Sequence, residues 1–221
     1  MLTAAERYRD LVLSTGQLRA FYEMDDSSGT RIREAVNGLH GTIAGTPTMG
    51  RDGPAGGAAI QFDGTAVQIS LPASTKLDLG DGPFTLECWF KLTGGTGANR
   101  KLIFRGGGGG CSMDPRSDNV IHGGVPDTGF YADGTTGITD TARWHFASVV
   151  KDALTIRKVY LDGKDDTAAV SAFTATNVGS WFIGSAGGAE FFTGYIARVG
   201  IYAAALDLTA HRIRWAVGLG G

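Results

Sequence analysis

Phe84-Thr85-Leu86-Glu87-Cys88-Trp89-Phe90-Lys91-Leu92 is the stretch that decides the fold. Phe84, Leu86, Cys88, Phe90 and Leu92 take one face, and Thr85, Glu87, Trp89 and Lys91 take the other, which is the period of two that a strand imposes. Val67-Gln68-Ile69-Ser70-Leu71 alternates in the same way, with three apolar side chains facing in and two polar ones facing out. Working outward, Phe62-Asp63-Gly64, Trp144-His145-Phe146-Ala147-Ser148-Val149-Val150, Tyr160-Leu161-Asp162-Gly163 and the run from Phe192 to Leu206 each read as a strand or a strand closed by a tight turn. About a dozen such strands, punctuated by Gly, Pro, Asn or Asp, predict an all-β antiparallel sandwich rather than a helical or doubly wound protein.

Composition bounds the rest. A chain of 221 residues, 43% of them hydrophobic, buries a full core as one domain, and its 35 glycines supply turns between short strands. Twenty basic and 22 acidic residues leave a formal charge of −2 without long runs of one sign, so no electrostatic footprint for nucleic acid is present. No apolar run approaches the roughly 18 to 20 residues that span a bilayer, and Met1-Leu2-Thr3-Ala4-Ala5-Glu6-Arg7 lacks an export leader. No membrane insertion is expected. Cys88 and Cys111 are too few for a disulfide framework, and Cys88 lies in a strand as a buried thiol. No Asn-x-Ser/Thr glycosylation sequence occurs.

Three segments follow along the chain: a helical arm over 1–17, a sandwich over 18–206 and a helix with a tail over 207–221. Thr3-Ala4-Ala5-Glu6 is a capping box, Gly16 ends the first helix, and Ala5, Tyr8, Leu11 and Val12 form its apolar face, expected to dock on the sandwich. Asp207 caps a last helix running through Val217, with Gly218 to Gly221 frayed and His211-Arg212-Ile213-Arg214 on a solvated face. Between Gly94 and Gly137 the pattern loosens, and the tract Gly106 to Gly110 reads as a loose loop.

The spaced set from Ala20-Phe21-Tyr22-Glu23-Met24-Asp25-Asp26-Ser27-Ser28-Gly29, through Glu34-Ala35-Val36-Asn37-Gly38 and the segments above, to Phe192-Thr193-Gly194-Tyr195-Ile196-Ala197-Arg198-Val199-Gly200-Ile201-Tyr202 resembles the concanavalin A-like jelly rolls. Within them the likeness is specifically to the laminin-G-like domains found in bacterial surface proteins and phage tail proteins. The resemblance implies a jelly roll with short N- and C-terminal helices. It also implies a rim calcium site, which would fall on Glu34 and Asn37, although Ala197 stands where many relatives carry an acid. Hard cations need several converging oxygens, so calcium is the one cofactor the resemblance raises, and an ordinary polar turn is the competing reading.

Catalytic signatures are missing from the sequence. Glycoside hydrolysis needs two carboxyl groups flanking the scissile bond, and Glu23-Met24-Asp25 is the only similar spacing, with Glu87 alone on its strand. No Gly-x-Ser-x-Gly, His-Glu-x-x-His or phosphate-cradling motif is present, and nothing places Cys111 beside His122. The expected protein is not an enzyme. A binding surface is expected instead on the face carrying Glu87, Trp89 and Lys91, where an indole among polar groups would stack a sugar. A structural Trp89 is the competing reading, and Trp144, His145 and Trp181 read as core or rim packing.

Two functions follow as expectations. The first is a virion structural or surface protein, in a phage tail or capsid decoration, located on the virion surface. It would assemble as a homo-oligomer with other virion proteins and touch host cell-surface glycans. An adhesion-type fold without a leader and an Arg-, Ala- and Gly-rich composition support it. The second is a carbohydrate-binding module of a secreted adhesin or glycanase.

Overall fold

The computed structural model describes residues 2–94, 98–107, 110–125, 130–152, 157–170 and 179–220. The expected sandwich is present as two antiparallel sheets. Among the described residues the first sheet has eight strands. In spatial order it runs Lys164–Asp165, Arg157–Leu161, His145–Lys151, Phe84–Leu92, Thr193–Tyr202, Ala58–Asp63 and Thr48–Asp52, with Leu18–Tyr22 also paired to Thr193–Tyr202. The second has nine: Thr167–Val170, Phe130–Gly134, Ile121–Val125, Cys111–Pro115, Ile103–Arg105, Trp181–Ile183, Gln68–Ser70, Gly41–Ala44 and Arg31–Ile32. Seventeen strands exceed the dozen expected because several hold only two or three residues, too few to show alternation in the sequence.

Between the sheets lies the main core, where Leu86, Cys88, Phe90 and Leu92 face Ile43, Ile69, Ile103, Met113 and Ile183. Cys88 and Cys111 are free, buried thiols. Burial pushes the Cys111 thiol up to about 12, so it is no nucleophile. His122 stands on the other face of its sheet from Cys111, since Ile121 beside it belongs to the core.

Two helices cover the outer face of the first sheet. Thr3 and Glu6 form the reciprocal capping box of α1 (Ala4–Leu13), and Asp207 caps α2 (Leu208–Gly218). Tyr8 and Val12 of α1 join Phe21, Trp89, Phe146, Ala197 and Tyr202 in a second, smaller core. His211 and Arg214 are buried in it as well, against the solvated face expected for them. Arg212 and Ile213 do face solvent. Gly218 is not frayed: a Cβ there would overlap the Trp89 ring, so the end of α2 seats on the indole. Of the tract Gly106 to Gly110, residues 108–109 lie outside the described residues.

Candidate functional site

The face expected to bind sugar is the one the helices cover. Trp89 is fully buried, stacked on Phe146 at 5.2 Å and meeting Tyr8 edge-on at 6.4 Å. Glu87 is equally buried, accepting a hydrogen bond from the Tyr202 hydroxyl at 2.7 Å with the Arg214 guanidinium at 3.2 Å. Burial raises the Glu87 carboxyl above its ordinary range, opposed by the charge of Arg214. These two side chains therefore anchor helices to the sheet, which corrects the expectation of a groove around them. Lys91, two residues on, escapes the cover: it is half-buried, with its ammonium 4.9 Å from the Tyr195 ring and 5.7 Å from that of Trp144.

Glu34 and Asn37 are likewise committed elsewhere. Phe21 and Val36 donate their N–H groups to Glu34 Oε1, and Asn37 and Leu39 donate theirs to Oε2, at 2.6 to 3.2 Å. The Asn37 amide donates to the Arg19 carbonyl at 2.9 Å. A carboxylate already ringed by four backbone donors pins the Asn-Gly turn to the first strand. The ordinary polar turn is thus what the geometry contains, and no cluster of three or more His, Cys, Asp or Glu suited to a metal occurs among the described residues.

Among the described residues the second sheet carries no helix on its outer face, and its register assembles a surface there. Thr42 pairs with Ser70, Ser70 with Phe182, Phe182 with Phe104 and Phe104 with Ser112. Their neighbours Ile43, Ile69, Ile183, Ile103 and Met113 all belong to the core, so this whole row points outward. Phe104 and Phe182 are half-buried, with ring centroids 6.5 Å apart and planes inclined at 35°. Glycine is required beside them: a Cβ on Gly187 would come within 2.9 Å of the Phe182 ring, and one on Gly106 within 3.2 Å of the Phe104 ring.

Polar groups ring this pair of phenyls. Lys101 sits with its ammonium 6.0 Å from the centre of the Phe104 ring, 3.1 Å from Asp114 and 3.2 Å from Glu190. Ser112 donates to the same Asp114 oxygen at 2.7 Å, while Arg116 Nε stands 3.6 Å from the second oxygen. The Asn99 amide reaches Glu190 at 3.4 Å, and the Ser185 hydroxyl donates to Gln68 at 2.5 Å. Further along the face, His122 lies 2.6 Å from Asp133 and 3.3 Å from Asp118. Lys101, Ser112, Asp114 and His122 are themselves buried, which leaves Gln68, Ser70, Asn99 and Glu190 as the donors and acceptors open beside the phenyls, an apolar platform with a polar margin of the kind that can stack a sugar ring.

A cleft of about 410 Å³ elsewhere holds several acids, but they are engaged with their neighbours. Asp166 accepts from the hydroxyls of Thr135 and Thr136, and Asp162 from His145 and the Phe146 N–H. His145 and Trp181 are buried, and Trp144 is a half-buried rim residue, as expected for all three. Sequence reading missed Phe104, Phe182 and Lys101 because Ile103-Phe104-Arg105 and Trp181-Phe182-Ile183 are three-residue strands with no readable alternation. Their juxtaposition joins strands far apart in the chain.

Comparison with known proteins agrees with this architecture. Residues 63–211 match the family model of the concanavalin A-like lectin/glucanases superfamily. No curated protein matches the sequence. Among solved structures, domain 4 of AbnA, a GH43 extracellular arabinanase from Geobacillus stearothermophilus in complex with arabinotriose, superposes with a TM-score of 0.69 at 21% identity, over 90% of this chain and 98% of that one. Trypanosoma rangeli sialidase in complex with sialic acid gives 0.69 at 13% identity over 95% of this chain, which spans 37% of the sialidase. The binding domain of botulinum neurotoxin DC in complex with SialylT gives 0.68 at 12% identity over 91% of this chain and 51% of that one. At such identities the likeness is one of fold. With a family model matched across most of its length and both sheets in place, the chain belongs to the concanavalin A-like lectin/glucanase superfamily.

Proposed function

We propose that this protein is a carbohydrate-binding module that holds a neutral sugar on the Phe104–Phe182 platform. The observation that carries the reading is the pair of half-buried phenyls on the outer sheet face that no helix covers among the described residues, bordered by Ser70, Gln68 and Glu190. The apolar face of a sugar ring would lie over the phenyls, and its equatorial hydroxyls would reach the marginal side chains. The sugar-bound structures named above support the reading as relatives in fold. Nothing about them supports the virion role expected from the sequence, and the reading as a binding module stands in its place.

Binding without hydrolysis is the form we infer. Glycoside hydrolysis needs two carboxyl groups free to flank the scissile bond, whereas Glu190 and Asp114 are both engaged by the Lys101 ammonium. The test is calorimetric titration with neutral oligosaccharides of pyranose and furanose sugars. Phe104→Ala and Phe182→Ala are each expected to weaken binding about tenfold, the scale of one lost ring contact, with the thermal midpoint near that of wild type. Unchanged affinity in both variants would overturn the platform, and release of reducing ends from the same sugars would overturn the non-enzymatic reading.

A further inference from the structure

Lys91 leads to a second place where chemistry is left incomplete. On the outer face of the first sheet, beyond the edge of the helices, Gly50, Arg51, Asp52, Lys91 and Tyr195 line a pocket of about 340 Å³. Lys91 is paired in register with Tyr195, and Tyr195 with Gln61 on its other side. The Arg51 guanidinium stands 5.9 Å from the Tyr195 ring, opposite the Lys91 ammonium at 4.9 Å, and the Trp144 ring lies 6.3 Å from that of Tyr195.

A β-bulge puts Arg51 there. Thr48 pairs with Gln61 and Arg51 with Ala59, so three steps on one strand match two on the other. The extra residue is accommodated at Met49-Gly50, where Gly50 has φ +65°. Because Gln61 and Ala59 both point outward, the bulge lets Thr48 and Arg51 take the same face, which strict alternation forbids.

Neither Lys91 nor Arg51 has an ion-pair partner among the described residues; each is held instead against an aromatic face. Two cations without an ion-pair partner among the described residues stand one on either side of the Tyr195 ring, so a carboxylate could take a forked pair of hydrogen bonds from Arg51 while the Lys91 ammonium adds its charge to the local field. The Tyr195 ring adds a surface that a bare inorganic anion would not use, and Asp52 adds an acceptor for a hydroxyl. We propose that this pocket is a second glycan site, selective for a sugar that carries a carboxylate. It lies on the opposite sheet from the Phe104–Phe182 platform, so either site can fail without the other.

The test is calorimetric titration of the full chain with a uronic acid trisaccharide, its methyl ester, which removes only the charge, and a sialylated trisaccharide. At least one free acid is expected to bind, with esterification, Lys91→Met or Arg51→Gln each weakening it about tenfold or more, as the loss of one charge-assisted contact implies. Arg212→Gln, which removes a cation from the exposed face of α2, is expected to leave that affinity unchanged. Both substituted side chains lie at the surface, so equal thermal midpoints will show that the variants are folded. Equal binding of acid and ester, wild-type affinity in Lys91→Met and Arg51→Gln, or no binding of either free acid would each overturn the proposal.

Discussion

A carboxylate surrounded by backbone N–H groups is worth more to the fold than to a ligand, and Glu34 is such a case. Its two oxygens satisfy four donors from the first strand and the Asn-Gly turn at once. Glu34→Gln would turn an amide NH2 toward two of those donors, and burial of unmatched donors costs about 1–3 kcal/mol each. We expect that variant to unfold at clearly lower urea concentration, and millimolar calcium to leave the wild-type midpoint in place. A calcium-dependent midpoint would return Glu34 to the role of ligand. The same lesson holds for Glu87 and Trp89. Sequence alternation put both on the outward face correctly, and there its information ended. Whether an outward face meets water depends on what packs over it, and the covering residues Tyr8, His211, Arg214 and Gly218 come from both ends of the chain.

At the scale of elements, α2 is held by a titratable group whose sign of effect can be stated. His211 is buried, its Nδ1 2.7 Å from the Ser148 hydroxyl and its ring stacked on Tyr160 at 4.3 Å. Burial, with Arg214 nearby, pushes it from an ordinary value of 6.5 down to about 3, against the smaller opposing pull of the Leu206 backbone and Asp207. The unfolded chain takes up a proton near pH 6.5 that the folded chain refuses, so stability is full above that pH and falls progressively toward pH 3. Urea midpoints measured at intervals from pH 7.5 to about 5 are expected to decline in wild type and to flatten in His211→Gln. Parallel slopes in the two proteins would contradict the buried neutral ring. The capping signals of both helices were legible because a cap is a local event. Their docking was only half legible: the apolar face of α1 announced itself, whereas α2 buries His and Arg that read as a solvated stripe.

For the whole molecule, the fold was legible and the site was not, for one physical reason. Long strands such as Phe84–Leu92 and Thr193–Tyr202 repeat the inward–outward rule often enough to be read, and they fix a sandwich. A binding face is made by register between strands that are distant in sequence, as Phe104 and Phe182 are, or by a bulge such as the one that turns Arg51 outward. Neither leaves a periodic trace. Among the described residues, two helices pack on the outer face of the first sheet and none on that of the second, where the Phe104–Phe182 pair lies. The most direct test is a titration of the isotope-labelled protein with neutral oligosaccharides, followed through backbone amide resonances. Binding on the platform predicts perturbations centred on Phe104, Phe182, Ser70 and Gly187, with α1, α2 and Trp89 silent. Perturbations centred on Trp89 and the helices, or none with any neutral sugar, would contradict it.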